Sequence, residues 1–326
     1  MLKRKIEKYL GQWKEAADRK PLVIKGIRQC GKTYIVQKFA TENYESVVYI
    51  NFILEPDKKS AFHGNIDVDT IILNLSALIP GSRFINGKTC IILDEIQECK
   101  EARTSLKSFC IDGRFDIIAT GSLLGVKGYG KTPKKDIDGG QDSVPVGYET
   151  VIEMFPLDFE EFLWAEGYEN GISYLRELFD NKEKVPFALN EKYETLFREY
   201  MVVGGMPEVV ADYVENHDFT KVAAIQEKIL ENYRFDISKH AKGAEENKVR
   251  RCYEAIPRQL AKEITKFQYS TVEKGQTSKK YGGSIQWLKD SNIVNPCYNI
   301  HEPYLPLMAN ADENQFKLYI NDTGLL

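Results

Sequence analysis

The run Gly26-Ile27-Arg28-Gln29-Cys30-Gly31-Lys32-Thr33 constrains this chain more than any other stretch. It satisfies the pattern G-x-x-x-x-G-K-[ST], follows the apolar segment Pro21–Lys25, and opens a segment of helical spacing, Lys32–Thr41. Glycine at both ends lets successive backbone N–H groups turn inward, and the start of the following helix adds positive potential. A strand, loop and helix in that order predict a cradle for the phosphates of a nucleoside triphosphate, with ATP as the expected ligand. Lys32 is expected to neutralise the β- and γ-phosphates, and the Thr33 hydroxyl to ligate Mg²⁺. Gly26, Arg28, Gln29, Cys30 and Gly31 complete the cradle. Arg28 and Gln29 either touch phosphate or only cap the loop. Cys30 is either an oxidation-sensitive thiol at a helix N-terminus or a small residue that fits.

Two further motifs turn a binding loop into a hydrolytic one. Ile91-Ile92-Leu93-Asp94-Glu95 is an apolar strand ending in two carboxylates. Asp94 is expected to hold Mg²⁺, directly or through a water, and Glu95 to polarise the attacking water. Ile117-Ile118-Ala119-Thr120-Gly121-Ser122 is a strand ending in small hydroxyl residues, and both Thr120 and Ser122 are candidates to sense the γ-phosphate.

The first half of the chain alternates apolar strands (21–25, 47–52, 89–93, 116–120 and 150–154) with helical segments (32–41, 71–78 and 102–109). Apolar runs without alternation predict a parallel sheet covered on both faces, hence the α/β class. Residues 126–148, rich in glycine, lysine and aspartate, read as a polar loop or hairpin. Helical patterns follow at 159–165, 172–179, 190–202, 207–213 and 222–237. Helices at 248–264 and 284–288, with strands at 295–300 and 315–320, suggest a small winged-helix-like α+β module. The expected domains are a P-loop core at 1–157, a helical lid at 158–242 and the module at 243–326.

Composition narrows the partners. The net charge of −4 supplies no global field toward nucleic acid or membrane, although residues 1–40 carry eleven basic residues against three acidic ones. That local excess needs no partner beyond the nucleotide. Six cysteines without a C-x-x-C pair read as reduced thiols, and the chain opens with neither a signal peptide nor a spanning run, so a cytoplasmic location without membrane contact is expected. Tyr9 and Trp13 could border the adenine, but Leu10 and Trp13 at helical spacing read as core. Lys274, Lys279 and Lys280, ahead of the segment 284–288, could meet DNA.

With these motifs in hand, the stretch Lys20–Thr33 resembles a family of prokaryotic AAA+ ATPases. So do Asp94-Glu95-Ile96-Gln97, Thr120-Gly121-Ser122, Phe155–Phe162, Gly204-Gly205-Met206-Pro207-Glu208 and Tyr319–Leu326. Family members pair an N-terminal ATPase domain with a C-terminal domain of unknown function. The resemblance implies a sheet of order 5-1-4-3-2, a helical lid, a winged-helix-like segment and then a nuclease-like domain, before which this sequence stops. It also implies ATP and Mg²⁺ as ligands, and leaves room for a homo-oligomer and for DNA at the winged-helix-like segment. Many relatives carry an arginine where this chain has Val146-Gly147-Tyr148. Arg114, Arg198 and Arg234 are the alternatives for a trans-acting arginine, each also readable as a solvated surface residue. The expected activity is ATP hydrolysis that drives a conformational change or remodels a partner; the alternative is a slow nucleotide-gated switch or DNA-binding regulator.

Overall fold

A computed structural model of the chain describes residues 2–122, 147–241, 243–263 and 265–326. They form two compact units, Arg4–Met154, and Phe155–Leu326 with the extreme N-terminus. Most of the polar stretch expected at 126–148 lies outside the described residues.

In the first unit, α1 (Ile6–Glu15) precedes β1 (Leu22–Lys25), α2 (Lys32–Asn43) and β2 (Ser46–Asn51). A 3₁₀ turn at Pro56–Phe62 leads to α3 (Val68–Leu78), β3 (Thr89–Asp94), α4 (Lys100–Asp112), β4 (Asp116–Gly121) and β5 (Thr150–Glu153). The five strands are all parallel, in the order β2-β3-β4-β1-β5. Read from the opposite edge, that is 5-1-4-3-2. Period-two geometry explains why the central strands carry no polar face. Val23, Ile91, Leu93, Ile117 and Ala119 pack with Ile71 and Leu75 of α3 and Leu106 and Phe109 of α4. The alternate residues Leu22, Ile24, Ile92 and Ile118 are as fully buried, as are Ile35 and Val36 of α2. The helix starts are chemically marked: Asp67 accepts from the Thr70 N–H at the head of α3. Trp13 is core, its indole donating to the Lys20 carbonyl at 2.9 Å.

The second unit contains α5 (Phe159–Ala165), α6 (Glu169–Asp180), α7 (Phe187–Val203), α8 (Pro207–Asn216) and α9 (Phe219–His240). It continues through α10 (Ala244–Leu260), α11 (Tyr269–Val272) and α12 (Ser278–Asp290) to an antiparallel pair, β6 (Val294–Ile300) and β7 (Ala311–Ile320). A reciprocal capping box between Asp158 and Glu161 opens α5. Two elements differ from the sequence reading. The helix expected at 248–264 begins and ends about one turn earlier, and Ile264 lies outside the described residues. The helix expected at 284–288 runs from Ser278, so Lys279 and Lys280 lie within it rather than ahead of it. Gly282 and Gly283 interrupt the local pattern, yet Tyr281, Ser284, Ile285 and Leu288 bury one continuous face through them.

Three sequence stretches far apart in the chain converge in this unit. The Gly205 N–H donates to the Asp322 carboxylate at 2.6 Å, and the Gly205 carbonyl accepts from Leu157 N–H at 2.7 Å. The Tyr200 hydroxyl then donates to the Leu157 carbonyl at 2.9 Å. A Cβ on Gly205 would lie 1.9 Å from the Leu157 oxygen, so only glycine allows this backbone approach. No helix among the described residues is long and apolar enough to cross a membrane.

Candidate functional site

The loop between β1 and α2 folds back on itself through its own backbone. Gln29 and Gly31 take positive φ (64° and 92°), and Gly31 stands immediately before α2. Left-handed residues in a turn of this kind are the backbone pattern from which anion-binding nests are built. Gly26 passes so close to β5 that a Cβ there would lie 2.2 Å from the Met154 carbonyl oxygen. Cys30 is fully buried, its thiol 3.5 Å from that same oxygen, which fits the reading of a small residue that packs. The Arg4 guanidinium braces the loop from α1's side by donating to the Cys30 carbonyl at 3.1 Å. Arg28 is partly exposed and Gln29 exposed. Lys32 is almost buried, and its ammonium donates to the carbonyls of Gly26 at 2.9 Å and Ile27 at 2.8 Å. A lysine held this way presents a fixed positive charge inside the curl of the loop.

The ends of β3 and β4 complete the group. The Thr33 hydroxyl lies 3.2 and 3.1 Å from the two oxygens of Asp94, whose side chain is 3% exposed. Glu95 follows in a left-handed conformation (φ 54°), unusual for a residue with a side chain, so the turn aims its carboxylate away from the strand line. That carboxylate accepts from the Gln97 amide and lies 3.5 Å from the Ser122 hydroxyl. Thr120 and Ser122, equal candidates in the sequence, separate here. Thr120 is wholly buried and donates to Asp94, whereas Ser122 stands past the strand end beside Glu95.

Two contributors escaped the sequence reading. In β2, Asn51 is in register with Asp94 and donates to its Oδ2 at 2.9 Å, and the Tyr49 hydroxyl donates to the same oxygen at 2.7 Å. Burial raises the Tyr49 phenol to about 12, so it remains a donor at neutral pH. Their two-residue spacing on the strand beside β3 was the available signal.

The arginines considered for a trans role are placed differently. Arg114 is engaged within its own chain, with Nε 2.9 Å from both Asp112 oxygens and Nη2 2.6 Å from Asp69. Arg198 lies exposed on α7 with Glu194 at 3.6 Å, and Arg234 lies on α9.

Oxygen donors of hydroxyl and carboxylate type, converging beside the loop at the head of α2, suit a hard cation and a polyphosphate. Residues 18–163 match the AAA domain family. Residues 194–326 match a domain of unknown function (DUF8612). Together the two matches support an AAA-type ATPase. The Walker-type ATPase of Pyrococcus abyssi superposes with a TM-score of 0.55 at 16% identity, covering 100% of this chain and 95% of that one. That likeness extends the shared fold beyond the N-terminal unit. AMPPCP-bound DnaA from Aquifex aeolicus gives a TM-score of 0.36 at 14% identity, covering 87% of this chain and 86% of that one. The Aeropyrum pernix ORC1 protein in complex with DNA gives 0.33 at 11% identity, covering 98% and 87%. None of the curated proteins searched matches the chain.

Proposed function

We propose that this AAA-type protein binds Mg²⁺–ATP with the Gly26–Thr33 loop, hydrolyses it, and uses the cycle to drive a conformational change or remodel a partner. The observation that carries the proposal is the convergence of Thr33, Asp94, Glu95 and Ser122 at the ends of α2, β3 and β4. Lys32 and the loop N–H groups hold the phosphates. Thr33 and Asp94 hold Mg²⁺, which supplies charge neutralisation at the phosphates when bound. Glu95 orients and polarises the water, and Ser122, touching Glu95, reports on the γ-phosphate.

Residues 158–242 serve as the helical lid and 243–326 as a winged-helix-like module, a reading supported by the order of three helices and a hairpin from α10 to β7. For DNA, Lys274 and Lys279 are exposed cations at and near α12, whereas Lys280 is tied to Glu273 at 2.8 Å. An arginine from a second copy completing the site belongs to the same proposal.

Steady-state phosphate release tests the hydrolytic role. Glu95→Gln should lower turnover at least about a hundredfold while ATP still binds, the usual weight of a general base. Tight ATP binding with negligible turnover in the wild type would instead favour a slow nucleotide-gated switch.

A further inference from the structure

Six polar contacts converge on the Asp94 carboxylate. Oδ1 faces the Thr33 hydroxyl at 3.2 Å, the Glu95 N–H at 3.1 Å and the Thr120 hydroxyl. Oδ2 faces Thr33 at 3.1 Å, the Tyr49 hydroxyl at 2.7 Å and the Asn51 amide at 2.9 Å. A carboxylate so placed cannot rotate about χ2 without breaking several of these bonds, and a ligand that need not reorient binds more tightly.

The donors differ in what else they do. Thr120 sits inside the sheet, and Asn51 is also tied to the N–H groups of Ile53 and Leu54 at 3.0 Å each, so both serve the local fold. Tyr49 has one proton, and the structure gives it to Asp94. The tyrosine is half-buried between the fully buried or nearly buried Val48 and Ile50, which point to the opposite face and carry the strand's packing. Its hydroxyl also accepts from the Asn51 amide at 3.3 Å, a donor to the same carboxylate, so its polar contacts lie in the group around Asp94 and none in the core.

We infer that Tyr49 is a positioning residue for the divalent cation: its hydroxyl holds Asp94 with both oxygens turned toward the Thr33 hydroxyl. The inference rests on the reading of Thr33 and Asp94 as the cation's ligands. It adds a residue of β2, outside all three motifs, whose effect is on cation affinity rather than on phosphate contacts.

The experiment uses the 326-residue chain with saturating ADP, so that no turnover intervenes. Mn²⁺ binding is followed by electron paramagnetic resonance in the wild type, Tyr49→Phe and Asp94→Asn. A fluorescent nucleotide is titrated into the same proteins in EDTA. Tyr49→Phe should weaken Mn²⁺ binding about tenfold, in the range expected for losing one outer hydrogen bond to a ligand, with nucleotide affinity in EDTA unchanged. Wild-type Mn²⁺ affinity in Tyr49→Phe overturns the inference while leaving the site reading intact. Equal losses of Mn²⁺ and of metal-free nucleotide binding assign the hydroxyl to the fold, and overturn it as well. Mn²⁺ binding that survives Asp94→Asn, or is absent from the wild type, overturns the site reading itself.

Discussion

Asp322 offers a test of how the second unit is held together, because its carboxylate is buried where water cannot support its charge. The side chain is 4% exposed and accepts from the Gly205 N–H. Burial raises its carboxyl from the ordinary 3.8 to about 6, and the N–H groups of Gly205, Gly324 and Leu325 only partly oppose the rise. An acid whose folded pKa is raised stabilises the fold least when ionised. Stability from this group is fully present below the unfolded pKa near 4, falls as pH rises to about 6, and levels off above it. The full loss is about 3 kcal/mol for a shift of this size, and roughly 1 kcal/mol of it falls between pH 5 and pH 7.5. Asp322→Asn cannot ionise, so it lacks that slope, whatever constant offset its changed hydrogen bonds impose. Urea unfolding at both pH values, followed through Trp164 and Trp287 in a Trp13→Phe background, reads this unit alone. The wild type should lose about 1 kcal/mol more than the Asn variant from pH 5 to pH 7.5. Parallel losses in the two proteins would refute the reasoning.

Two further perturbations probe the first unit. Arg103 of α4 forms a doubly contacting ion pair with Glu149, both side chains under a tenth exposed, just before β5. Arg103→Met strips a buried carboxylate of its guanidinium and should cost about 3 kcal/mol in denaturant unfolding, most of it recovered in Arg103→Met with Glu149→Leu. No recovery in the double variant would mean that the arginine stabilises through packing alone. Gly26→Ala forces the loop away from the Met154 carbonyl, and a displacement of that size should weaken fluorescent-nucleotide binding by about tenfold or more. Unchanged affinity would show that the loop moves without disturbing the phosphate cradle.

The parts of this protein legible in its sequence are those written in contiguous residues. The loop from Gly26 to Thr33 and the pair Asp94-Glu95 announce themselves because each is a contiguous run, the first joining the end of β1 directly to the start of α2. The strand order, by contrast, came from family resemblance, since apolar runs say that a sheet is buried and not which strand lies beside which. Register is not written in local sequence. Tyr49 and Asn51 alternate with Val48 and Ile50 as any edge strand would, and only the pairing of Asn51 with Asp94 gives their polar groups a purpose. The contact between Gly205 and Asp322 spans 117 residues and leaves no local pattern at either end. Gly282 and Gly283 lie inside α12, where four buried side chains on one helical face outweigh the low helix propensity of glycine. A usable rule follows for sheets of this kind. Polar side chains two apart near the C-terminal end of an apolar strand, on the edge next to a strand that ends in a carboxylate, mark candidate supports for that carboxylate. In this chain the rule selects Tyr49 and Asn51, and Tyr49→Phe measures whether the support matters to the cation.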